Sequence, residues 1–385
     1  MLRRHSPYVL SVLGIALALA LGACTQSSPQ PTVLRFTTGQ AASLVIGQPD
    51  FTTSGSAVDA AHVAPIGDPA VANGRLYLPD YGHNRVLGFD SVPTSNGASA
   101  DFVLGQTDFT SSGSATTQAG MYEPVSVRYG AGKLFVGEDS NNRVLIYNTP
   151  PTSTGAAPNV VVGQPDFTTG VASCTASGLA TPATVTVAGS KLIVGDAANS
   201  RVLIFNSIPT SNGAAADVVL GQTDFTHCSA NGGGTVSASG LTFSDDVWSD
   251  GTRLIVADAD NNRVLIWNHI PTANDTPADV VVGQPDMTSS ASGVGPASMA
   301  GPDFIASNGV QLFVGDHGNN RVLVFNTIPT ANGASADVVL GQPDFASSAP
   351  GTTASTFAGP YGLLVTSDSL IVADSNNDRY LVFRP

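Results

Sequence analysis

Two sets of carboxylates in this chain are placed where they could do chemistry. The first recurs: Asp80, Glu138, Asp196, Asp258, Asp316 and Asp374 each stand five residues before an arginine, at Arg85, Arg143, Arg201, Arg263, Arg321 and Arg379. Six acids in one register could ring a metal ion. Each acid, however, has its own arginine, and a carboxylate ending one strand opposite a guanidinium starting the next makes a hairpin ion pair. A site is expected to break repeat symmetry, and this set keeps it, so it reads as scaffold. The second set does break it. Asp68, Glu123, Asp245, Asp246, Asp303 and Tyr361 occupy matching stretches of successive copies but differ in type. Carboxylates and aromatics converging there could bind a cation, a sugar or a cationic peptide. The plain alternative is a solvated acidic mouth on an acidic protein.

Motifs for specific chemistry are few. Asp258-Ala259-Asp260-Asn261-Asn262 looks like the start of a calcium loop, but Arg263 stands where that loop needs glycine and no glutamate closes it. His62, His83, His227, His269 and His317 show no metal-ligand spacing. Neither a Gly-x-Ser-x-Gly elbow nor a phosphate loop is present. No cofactor is implied; calcium or another divalent cation is the ion the unsymmetrical carboxylates would take.

The elements that must position these residues follow from the recurrence. The arginines are spaced 58, 58, 62, 58 and 58 residues apart, and a Gly-Gln pair recurs with glycine at 47, 105, 163, 221, 283 and 341. A fixed period of this size means a solenoid, a propeller or an array. One period holds four strand-like runs: Pro124 to Arg128, Lys133 to Val136, Arg143 to Tyr147 and Asn159 to Gly163. All are short, rich in Val, Ile, Leu and aromatics, and bounded by turn residues. The last three are apolar without alternation, so both faces of each sheet are covered, as when blades pack side by side in a propeller. Asn-rich turns such as Ser140-Asn141-Asn142 join the second and third runs.

The chain ends define the topology. Leu44 to Gln48 is a fourth run with nothing before it, and Arg379 to Phe383 is a third run with no fourth after it. Together they complete one blade and remove a sheet edge. The expected fold is all-β: a six-bladed β-propeller of four-stranded antiparallel blades, closed by about 43–48 pairing with about 379–383. The first runs would line its central channel. A single domain covers 41–385.

The pattern Ile255-Val256-Ala257-Asp258 … Asn261-Asn262-Arg263-Val264-Leu265 resembles the NHL repeat. Matching stretches are Leu134 to Ile146, Leu192 to Ile204, Leu312 to Val324 and Leu370 to Val382, with a weaker copy at Leu76 to Leu87. The resemblance implies a six-bladed propeller. Its functional message is broad, because the family mixes RNA-binding, protein-binding and lyase members. Its amidating lyases hold zinc through histidines near the channel, and the histidines of this chain do not reproduce that set.

The N-terminus reads as an export signal over 1–23: Arg3 and Arg4, an apolar stretch from Tyr8 to Leu21, then Leu21-Gly22-Ala23-Cys24. This resembles a bacterial lipobox, which would leave Cys24 as a lipidated N-terminus on a short tether over 24–40. The expected location is the cell envelope, at the outer membrane or cell surface. Cys174 and Cys228 both fall just after the Gly-Gln-x-Asp-Phe phrase, in the same connection of successive copies, and an oxidising compartment favours a disulfide between them. The formal charge is −14, or −14 − 2 = −16 without Arg3 and Arg4. Clustered Lys and Arg for phosphates are lacking, so nucleic acid is not an expected partner. The expected function is a lipid-anchored, monomeric binding or scaffold module for a protein or glycan. The alternative is a channel-site lactonase- or lyase-like enzyme, dependent on a metal.

Overall fold

The computed structural model describes Met1 and residues 32–385. The signal, the lipobox and Cys24 lie outside the described residues. Among the latter, no helix is long and apolar enough to cross a membrane.

Six four-stranded antiparallel sheets stand as the blades of a ring, five of them running from an inner to an outer strand in chain order. Blade 2 is typical, with strands Pro124–Gly130, Lys133–Glu138, Arg143–Tyr147 and Val160–Val162. The third strand matches the sequence reading. The outer one is shorter, because Gly163 turns left-handed (φ 89°) just after it. The Gly-Gln glycine is left-handed in all six copies, a conformation other residues adopt only at a cost. At Gly341 a Cβ would also stand 2.0 Å from the Phe357 ring. Both faces of the sheets are buried: Val136, Val144, Leu145 and Ile146 are fully enclosed, and clusters such as Phe135, Val144, Val185 and Leu192 span neighbouring blades.

Blade 6 takes its outer strand from the other end of the chain. Leu44–Ile46 pairs with Arg379–Phe383 in the register Leu44 to Val382, Val45 to Leu381 and Ile46 to Tyr380. The closure is as the chain ends require. The packed region begins before residue 41, however. Leu34 and Phe36 are 1% and 7% exposed; Phe36 meets Phe313 edge-on, and Gln311 binds both the N–H and the carbonyl of Leu34 at 2.7 and 2.8 Å. The last part of the expected tether is a docked strap, because its two alternate apolar side chains find a cleft in the core around blades 5 and 6.

The recurring acid and arginine form the scaffold stitch. In blade 3, Arg201 Nε donates to Asp196 at 2.6 Å, Nη1 to the Phe225 carbonyl at 2.8 Å, and Nη2 to the Thr175 and Gly178 carbonyls at 2.9 and 3.0 Å. One guanidinium thus fastens the middle hairpin to the chain entering its blade and to the chain leaving it. Asp196 is filled in turn by the Ala180 N–H and the Asn199 amide. All six pairs are fully buried. The phrase after Gly-Gln is equally structural: Asp166 accepts the Thr168 N–H at 2.8 Å to close a turn, and Phe167 packs against the blade 1–2 core. Met287 takes the equivalent place in its copy.

Cys174 and Cys228 are joined in a disulfide with Cα atoms 6.3 Å apart, tying the connections that lead into blades 3 and 4. The extra four residues of the long copy fall beside it, around a left-handed turn through Asn231, Gly232 and Gly233 (φ 52°, 64° and 83°). The bridge closes a 54-residue separation, and constraining an unfolded loop of that size stabilises by about 2–4 kcal/mol. Cys228→Ser is expected to lower the urea midpoint accordingly, with a reducing agent producing the same shift in the wild type and none in the variant.

Candidate functional site

The inner strands line the channel, and aligning them through the buried acid shows where the copies disagree. The residue that begins the turn after each acid is Tyr81, Asp139, Ala197, Ala259, His317 or Ser375. The second residue of the inner strand, with its blade 1 counterpart, is Gly67, Val125, Ala183, Asp245, Asp303 or Tyr361. Both positions sit at the end of the ring that carries the turns between second and third strands. There they enclose a cavity of about 110 Å³, lined from all six blades by Tyr81, Asp139, Thr181, Phe243, Asp245, Phe304 and Tyr361 among others.

Backbone strain gathers at the same place. The residue before the inner strand is left-handed in blades 2 to 6. Blades 5 and 6 use Gly301 and Gly359, but blades 2 to 4 use Glu123, Thr181 and Phe243 at φ 52–54°. A bulky or β-branched residue with positive φ costs of order 1–2 kcal/mol, and such strain tends to persist where function needs it. Asp139 accepts from the Tyr81 hydroxyl at 3.2 Å, and Thr181 lines the cavity with them. Thr181→Gly is expected to raise stability by up to about 1 kcal/mol in denaturant unfolding, by relieving this strain, while removing one hydroxyl from the cavity.

The six residues expected at the mouth divide into three groups. Asp245 and Asp303 meet in a carboxyl–carboxylate hydrogen bond, and His317 Nδ1 lies 3.0 Å from Asp303. Tyr361 stands over them, its ring 4.8 Å from His317 and 5.2 Å from Phe304. Burial, and then the charge of Asp303, push Asp245 well above the usual carboxylate range. Burial followed by the nearby acids raises the Tyr361 phenol. Glu123 remains at the rim, bonded to Ser140, with its N–H on Asn84.

Asp68 and Asp246 belong to neither the cavity nor the rim. They lie one residue deeper and share the Arg128 guanidinium, which reaches across from blade 2. Asp68 also accepts the Leu363 N–H at 2.6 Å, and Asp246 the Ile305 N–H at 2.7 Å. These contacts link inner strands of five blades. Gly67 and Gly362 permit the close approach at the ring seam, where a Cβ on Gly362 would stand 2.0 Å from the Gly67 carbonyl. Burial, with Asp246 as a like-charged neighbour, raises Asp68. Beyond this ion triad a second cavity, of about 220 Å³, opens at the opposite end between Arg128, Trp248, Thr186 and Leu364.

Two readings are corrected here. The acids do not form a solvated mouth: Asp68 and Asp246 are 0% exposed, Asp245 3% and Asp303 6%. Nor do three of Asp68, Glu123, Asp245, Asp246 and Asp303 converge as ligands; among the described residues no group of three His, Cys, Asp or Glu could hold a metal ion. Sequence reasoning missed Tyr81, Asp139, Thr181, Phe243, Arg128 and the place of His317. Reading the copies column by column, rather than for what they share, would have marked them.

No family model and no curated protein matches the chain. Solved propellers do. The WD40 beta-propeller domain of Doa1 is 8% identical over 91% of this chain and 96% of its own, with TM-score 0.47. A candidate 6-phosphogluconolactonase from Bacteroides fragilis is 13% identical over 88% and 89%, with TM-score 0.48. Another from Bacteroides uniformis is 11% identical over 82% and 79%, with TM-score 0.46. These likenesses are of fold.

Proposed function

We propose that the chain is an exported, NHL-like propeller that serves as a binding module, taking a protein or glycan at the mouth that carries the second-to-third-strand turns. One observation carries this reading: at that mouth, residues of different type from all six copies surround a single cavity, while the acid–arginine stitch and the Gly-Gln turn repeat in every copy. Repetition builds a ring, and only the departures from it can confer selectivity. Attachment through lipid on Cys24 completes the proposal and would hold the module at the envelope; palmitate labelling that survives Cys24→Ala would remove that part.

Binding to arrayed glycans and envelope peptides tests the module. Signals should disappear in Tyr361→Ala and persist in Trp248→Ala, which alters the opposite cavity. The reverse pattern would move the site to the other end of the channel. An enzymatic reading retains one support, the chain Asp245–Asp303–His317, which could relay a proton without a metal. Lactone hydrolysis abolished by Asp303→Asn would establish it.

A further inference from the structure

The cavity at this mouth has walls and floor of opposite character. Its walls include four aromatic rings from four blades: Tyr81, Phe243, Phe304 and Tyr361. Its acids are Asp139 and Asp245, and Asp245 is bonded to Asp303. We infer that it receives a compact organic ammonium group, with the aromatic faces around the cation and the carboxylates beneath it. The inference rests on this mouth being the binding site and names the chemistry of what binds there.

Partner accounting supports it. Each ring acid has a guanidinium, and Asp68 and Asp246 share Arg128 and take backbone N–H groups. Asp245 is different. It is 3% exposed and lines the cavity, and among the described residues its carboxyl meets only the Asp303 carboxyl, with no N–H or hydroxyl donated to it. Its one partner is the proton shared with Asp303, so a donor arriving in the cavity meets carboxyl oxygens that take no other hydrogen bond. An ammonium supplies donors and charge together, and aromatic faces attract organic cations. A hard divalent ion would need six or more oxygen ligands, and the acids here do not converge in that way. The cavity volume, about 110 Å³, is several times that needed for one water.

The surroundings define the pH response. Asp245 faces Asp303, Asp246 and Asp260; Asp303 faces His317; and Tyr81, Tyr361 and Asp139 complete the shell. The pair holds one proton between its two carboxyls, and an arriving cation takes that proton's place. Affinity should therefore rise with pH, by at most about tenfold per unit for one released proton.

Calorimetry on the whole folded chain tests this. The probes are tetramethylammonium, propylammonium, a short acetylated peptide with one lysine, the neutral isostere 3,3-dimethylbutanol, calcium and methyl glucoside. Ammonium binding should be one-to-one, should release a proton, and should weaken at least tenfold in Asp245→Asn and Tyr361→Ala. Tyr361→Phe should retain it, and so should Trp248→Ala. Tighter binding of the peptide than of propylammonium assigns the cation to a lysine side chain; the reverse assigns it to a free amine. Equal binding of dimethylbutanol, displacement by calcium, or no heat with any ammonium overturns the inference. If ammonium fails while an arrayed glycan still depends on Tyr361, the mouth stands and only the ligand chemistry falls. If nothing binds there, both fall.

Discussion

Chains lacking residues 33–47 are expected to aggregate instead of folding as monomers, seen as early-eluting material with increased light scattering. The deletion removes the outer strand of blade 6 and bares the whole edge of Arg379–Phe383, and an unpaired apolar edge is a template for other chains. Leu44, Val45 and Ile46 are 2%, 0% and 0% exposed. At about 1.5–3 kcal/mol for each buried side chain, roughly 5–9 kcal/mol is lost, comparable with the whole stability of an ordinary domain. A milder test leaves the strand in place: Ile46→Ala should cost about 2–5 kcal/mol. A deletion variant that remained monomeric with an unchanged melting temperature would show that ring closure is dispensable.

Arg263→Ala should destabilise by about 3–5 kcal/mol, the usual cost of leaving a buried charge without its partner. The change strands the Asp258 carboxylate and frees three carbonyls, of Met287, Ser237 and Gly240, that Arg263 holds at 2.8, 2.9 and 2.8 Å. Arg263→Lys should fail nearly as badly, because a single ammonium cannot span four acceptors in a fork. Adding Asp258→Asn to Arg263→Ala should recover part of the loss by removing the stranded charge. If Arg263→Ala shifted the urea midpoint no more than a surface substitution, the stitch would be ornamental.

The ring was legible because its residues recur. The buried acid, its arginine and the Gly-Gln pair each do one local job six times, so period and chain ends were enough to count blades and to find the seam. The site was legible only in part. Asp245 and Asp246 are neighbours that looked equivalent, yet they sit at a register shift in the inner strand of blade 4, and a bulge re-aims the side chains it carries. Asp245 lines the cavity, and Asp246 grips Arg128, 118 residues away. Arg128 joins Asp68 across another 60. Contacts at such separations leave no local pattern. Cys174 and Cys228 stood in the same connection of adjacent copies, and that placement carried the expectation of their bridge.

The docked strap gives the molecule a mechanical polarity. Thr32 accepts a hydrogen bond from Asn308, in the hairpin at the far end of the channel from the acid pair. A pull on any upstream anchor is therefore borne first by the clamp between Leu34 and Gln311, before it can reach the strand that closes the ring.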